Sequence, residues 1–79
     1  MYKNKSCHRI KVARNIHKPR LTQKDLVAQL QIAGLNISKN ILSRIELGNR
    51  YVTDLELIAF SKVLKVNILW LLEETDVPK

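Results

Sequence analysis

Four side chains in one short stretch have the right chemistry to read a base edge: Lys39, Asn40, Ser43 and Arg44. Lysine and arginine donate to guanine O6 and N7, asparagine pairs with adenine N6 and N7, and serine serves either. At helical spacing they share one side, while Ile41, Leu42 and Ile45 fall on the other. No Asp or Glu occurs from Gln31 to Ile45, so nothing on this face repels a phosphate. The plain alternative is an ordinary solvated helix surface.

Other chemistries lack parts. His8 and His17 lie nine residues apart, and only His17 shares the inner stripe of its helix, so a core or surface histidine is the reading for both. Cys7 sits near Arg9 and Lys11, a setting that favours thiolate. No second cysteine or histidine–carboxylate pair supports nucleophilic chemistry, and the thiol reads as buried or idle. One Cys and two His cannot form a disulfide or fill a four-ligand structural zinc site. Glu73-Glu74-Thr75-Asp76 lacks the spacing of a calcium loop and reads as a solvated end. The expectation is a protein that is not an enzyme, with no catalytic residue, metal, cofactor or evident small-molecule ligand.

Five helices must position the candidate face. Apolar residues recur at three and four rather than at two. The first helix runs from Ser6, a candidate N-cap, to His17, with Ile10, Ala13, Arg14 and His17 on one stripe and Ile16 beside it. Lys18-Pro19-Arg20 ends it. The second opens at Thr22, with Asp25 three places on, buries Leu26, Val27, Leu30 and Ala33, and stops at Gly34. The third opens at Ser38 and ends at Gly48. The fourth has the capping box Thr53 and Glu56 and presents Leu57, Ile58, Ser61 and Leu64. The fifth spans Ile68 to Glu73, capped by Asn67. A capped helix, a glycine turn and a second capped helix is the helix-turn-helix arrangement.

Composition agrees with one small domain, spanning 1–79 with a core of about 6–74 and frayed ends. The chain has 79 residues, 46% of them hydrophobic and only 5% aromatic, with two Gly and two Pro. That leans away from a turn-rich β barrel. The longest apolar run is Ile68–Leu72, far short of a membrane span, and the basic start lacks a signal-peptide core. Net charge is +7. Residues 1–24 carry eight basic side chains and no acid, residues 25–50 net +1, and residues 51–79 net −2. Such asymmetry suits a polyanion; a solubilising surface is the other reading.

Leu21-Thr22-Gln23-Lys24-Asp25-Leu26-Val27 and Ile37-Ser38-Lys39-Asn40-Ile41-Leu42-Ser43-Arg44-Ile45-Glu46-Leu47-Gly48 together resemble the phage-repressor/Cro (Xre-type) helix-turn-helix family. Ile10 to Arg14 upstream, and Tyr51 to Leu57 and Leu64 to Leu72 downstream, are similar to its other helices, so the likeness covers about residues 8–72. It implies an all-α, five-helix, lambda-repressor-like DNA-binding domain with helix three, about 38–47, in the major groove. It implies base reading by Lys39, Asn40, Ser43 and Arg44. It implies phosphate contacts from Thr22, Gln23, Lys24, Ser38, Asn49, Arg50 and Tyr51, and a structural ion pair between Arg14 and Glu46. It departs from the family where residues 31–36 replace about one residue, so helix two gains a turn and Leu35 needs a hydrophobic seat. The Lys18-Pro19-Arg20 loop is longer than the family's and is expected to add phosphate contacts, and Val27, Leu47 and Lys65 stand where the family often has alanine, asparagine and glycine.

The function expected is a sequence-specific, double-stranded DNA-binding transcriptional regulator, a repressor, bacterial or phage-encoded, cytoplasmic and nucleoid-associated. A homodimer on DNA is expected, with Leu69, Trp70 and Leu72 as its candidate contact. Trp70 closing the core is the competing assignment. The competing function is an antitoxin-like or anti-repressor protein-interaction module that keeps the fold without specific DNA binding.

Overall fold

Four of the five helices start where a short polar side chain takes up a backbone N–H that the helix leaves unpaired. A computed structural model describes residues 6–72 as α1 (Ser6–Ile16), α2 (Gln23–Ile32), α3 (Lys39–Glu46), α4 (Asp54–Leu64) and α5 (Ile68–Leu71), with no strand among them. Thr22, Ser38, Thr53 and Asn67 are the N-caps of α2 to α5, each in extended backbone geometry. Thr22 with Asp25 and Thr53 with Glu56 form complete, reciprocal capping boxes. The expected cap at Ser6 rests on a side chain outside the described set.

Three helices close through the same C-terminal device. After α2, Gly34 has φ 97, its N–H reaches Gln31 O, and the Leu35 N–H reaches Leu30 O at 2.8 Å. After α3, Gly48 has φ 78, and the Gly48 and Asn49 N–H groups bond Ile45 O and Arg44 O. Both are Schellman closures, in which a left-handed residue turns the chain back over the last carbonyls. After α4, Lys65 takes the left-handed position with φ 58, although glycine is the residue that adopts it without steric cost. The Val66 N–H reaches Ser61 O, and the Ser61 hydroxyl donates to Val66 O at 2.6 Å, fastening this turn from both sides.

The core gathers one side of every helix. Ile10 and Ala13 of α1, Leu26 and Leu30 of α2, Leu42 and Ile45 of α3, Leu57, Phe60 and Leu64 of α4, and Trp70 and Leu71 of α5 are buried together. Leu21, Ile37 and Val52 plug the connections between helices. α1 packs on α3, α4 and α5, while α2 packs on α3 and α4. No helix among the described residues is long and apolar enough to cross a membrane.

Several details differ from the periodicity. Ile58 is 41% exposed, and Phe60, absent from the expected face, is fully buried in its place. Shifting the α4 stripe to Leu57, Phe60 and Leu64 restores the three-and-four spacing. Ala33 is exposed because it is already the C-cap of α2, not part of its inner face. Ile16 is exposed, and His17 lies just beyond α1, half-buried. α5 ends at Leu71, one turn long, and Glu73 lies outside the described residues. Leu35 has its seat: it is half-buried against the core, so the long turn is anchored rather than loose.

Candidate nucleic-acid interface

The orientation of α3 is set from behind by one carboxylate. Arg14 Nε donates to Glu46 Oε2 at 2.8 Å, and Arg14 Nη2 donates to Glu46 Oε1 at 3.0 Å, a two-pronged pair. Gln23 Nε2 donates to the same Oε1 at 3.0 Å, and Arg14 Nη1 donates to Leu21 O at 3.0 Å. Glu46 therefore ties the last residue of α3 to α1, while Gln23 adds the first residue of α2 and Arg14 the chain entering it. The Arg14 and Glu46 side chains are 8% and 3% exposed. Charges this far from water persist only when paired and hydrogen-bonded, as these are.

The opposite side of α3 faces outward. Lys39, Asn40 and Arg44 are exposed, and Ser43 is half-buried. Ser38 Oγ accepts the Ile41 N–H, so its hydroxyl oxygen is occupied in starting the helix. α3 has eight residues, about 12 Å at 1.5 Å per residue, a length comparable with the width of a DNA major groove.

Groups suited to phosphate flank both ends of this helix. Thr22, Gln23, Lys24, Lys39, Arg14 and Arg20 line a shallow open cleft of about 360 Å³ at the N-terminal ends of α2 and α3. Peptide N–H groups and the positive helix ends make such a place favourable for an anion. Thr22 Oγ1 accepts the Asp25 N–H. The Thr22 N–H donating to the Asp25 carboxylate, and after it the Thr22 hydroxyl, hold that carboxyl below its ordinary 3.8. Beyond the other end of α3, Asn49 and Tyr51 are exposed.

Arg50 takes a role that its sequence position did not announce. Its Nη1 and Nη2 donate to Glu56 Oε1 and Oε2 at 3.1 and 2.9 Å, so the guanidinium expected on a phosphate is committed to the start of α4. The signal was available in part: Glu56 is the capping-box carboxylate, accepting the Thr53 N–H at 2.9 Å, and an arginine six residues earlier can fold back onto it. Burial pushes the Glu56 carboxyl up, but Arg50 and the Thr53 N–H and hydroxyl outweigh it and hold the group below 4.5. A carboxyl with a lowered folded pKa stabilises fully above its unfolded value, and this contribution is lost as pH falls through the folded value. Thermal melts should therefore show stability declining on acidification below about 4.5, with a shallower decline in Glu56→Gln.

No family model, curated protein or solved structure matches this chain. The geometry of the site is what bears on its function.

That geometry corrects the expected dimer contact in one residue. Trp70 is 7% exposed, with the Arg9 guanidinium 5.0 Å from its ring centroid and Arg9 Nη1 donating to its carbonyl at 2.7 Å. It closes the core between α1 and α5, because a large ring at the end of a one-turn helix is the volume that fills the gap there. Leu72 is half-buried against the core, and Leu69 is 53% exposed. Arg9, counted in sequence among the basic N-terminal residues, thus serves packing. The loop bearing Arg20 was legible as a source of phosphate contacts, but the cleft was not, since its lining residues come from three separate segments.

Proposed function

We propose that this protein is a sequence-specific, double-stranded DNA-binding transcriptional regulator of the phage-repressor/Cro type, acting as a repressor, with α3 lying in the major groove. The observation that carries this is the two-sided character of α3: rigidly held by Arg14, Glu46 and Gln23 from behind, it offers Lys39, Asn40 and Arg44 to solvent with no carboxylate among them. A base-reading helix needs both properties, because base contacts specify only when the backbone that carries them is fixed in register. Thr22, Gln23 and Lys24 before α3, and Asn49 and Tyr51 after it, are suited to hold the two phosphate strands. The reading has no catalytic step and no cofactor, and it places the protein in the cytoplasm on the nucleoid. A homodimer would present two copies of α3 to a two-fold operator, and of the expected contact only Leu69 is well exposed.

A second reading, a protein-interaction module, draws on exposed Ile32, Leu47, Leu55 and Leu69, which are apolar side chains without cover. Salt separates the two. Each phosphate neutralised contributes about −0.9 to the slope of log K against log salt, so DNA binding through this surface predicts a slope of about −2 or steeper. Titrations of duplex DNA at several salt concentrations measure it. Failure to bind duplex at low salt would leave the interaction module standing.

A further inference from the structure

We propose that Lys39 belongs with Arg20 and Lys24 to a clamp on one backbone phosphodiester, and that base reading on α3 falls to Asn40, Ser43 and Arg44. The ligand class rests on the DNA reading above; the clamp itself rests on how the charges meet.

Six residues line the cleft at the start of α2 and α3, and none is a carboxylate. The charge of Arg14 is already met by Glu46. The neighbouring Asp25 carboxylate turns to the Thr22 N–H. That leaves Arg20, Lys24 and Lys39 as three exposed cations around one open concavity. Like charges gathered this way repel one another, and an anion among them converts the repulsion to attraction. The cleft is open and shallow, which suits a phosphate on a polymer passing across the surface.

Arg20 is held ready for this. Its Nε donates to Asn15 Oδ1 at 3.1 Å, and its Nη groups donate to no acceptor among the described residues. The loop bearing it is fastened where His17 Nδ1 hydrogen-bonds Pro19 O at 2.9 Å and where the Leu21 N–H donates to Arg14 O. An arginine fixed through Nε presents its outer edge, the pair of Nη groups, to phosphate oxygens. Lys39, the first residue of α3, lines the cleft beside Gln23 and Lys24, whereas Asn40, Ser43 and Arg44 are not among the lining residues. A lysine acting there as a point charge carries no sequence information.

The test has two arms. In the first, inorganic phosphate and, separately, a short duplex of arbitrary sequence are titrated into the whole protein at low salt and followed by amide and arginine Nε resonances. Shifts with the duplex centred on Arg20, Thr22, Gln23 and Lys39, and lost in Arg20→Ala, support the clamp. The same shifts with free phosphate alone overturn it as a DNA element, and shifts that avoid these residues overturn it altogether, whether or not any DNA sequence is preferred. In the second arm, Lys39→Ala and Arg20→Ala are compared with Lys62→Ala, which removes an exposed α4 charge away from the cleft. Each clamp variant should lower the salt slope by about 0.9, which narrows its gap from the wild type about 3.5-fold when salt rises fourfold. It should weaken all duplex sequences alike, and Lys62→Ala should do less. Loss by Lys39→Ala confined to one preferred sequence, with the slope unchanged, would return Lys39 to base reading and overturn the proposal.

Discussion

Arg14→Ala should destabilise the domain by about 3–5 kcal/mol, because it strands the Glu46 carboxylate in a site almost closed to water. For a domain of this size that is a fall in melting temperature of at least about 12 °C. Glu46→Ala should cost a similar amount, since it leaves both the Arg14 guanidinium and the Gln23 amide without their acceptor. The size of the effect is due to the unpaired charge and not to any large net gain from the pair. A double replacement, Arg14→Met with Glu46→Leu, should therefore recover most of the loss, as buried pairs exchanged for well-packed apolar groups often do. Chemical and thermal denaturation of the three variants check this. If Arg14→Ala melts with the wild type, Glu46 is not what holds α3 in place. The double variant has a further use: folded but unbraced, it asks whether the orientation of α3 matters for binding.

The second large effect is on recognition. Arg44→Ala and Asn40→Ala should each relax discrimination at one base pair by about 1–3 kcal/mol, or roughly 5- to 150-fold, while leaving stability nearly unchanged because both side chains are exposed. Guanine is the base expected opposite Arg44, and adenine opposite Asn40. Affinity for arbitrary duplex should change little with Asn40→Ala, which removes no charge. A variant that weakened every sequence by the same factor would make its residue a backbone contact instead. Comparing each variant on a preferred duplex and on single-base changes of it provides the measurement.

How much of this could be read from the chain differs from element to element. The caps at Thr22, Ser38, Thr53 and Asn67 were legible because capping is local: a short polar side chain and the N–H two or three residues on decide it. The turns at Gly34 and Gly48 were legible for the same reason. Lys65 was harder, since its left-handed geometry is fastened by Ser61 and Val66 rather than by its own preference. The α4 stripe slipped between Ile58 and Phe60, as an unbroken apolar run lets periodicity choose either phase, and tertiary packing chose Phe60. For the candidate site, Arg14 with Glu46 came through resemblance, at a separation of 32 residues that no local rule reaches. The pairing of Arg50 with Glu56, the stacking of Arg9 on Trp70 and the cleft beside Arg20 depend on which helices meet. They also change what net charge means. Of the cations in a chain of +7, Arg9, Arg14 and Arg50 are engaged in holding the fold, so the attraction left for a polyanion comes from fewer residues than the total implies.

Whether α3 reads DNA is tested by selecting bound fragments from random duplex DNA at low salt with the whole protein. The expected result is an enriched sequence containing guanine and adenine at positions that lose preference in Arg44→Ala and Asn40→Ala, arranged as two related half-sites if the protein binds as a dimer. Recovery of fragments with no common sequence would contradict it.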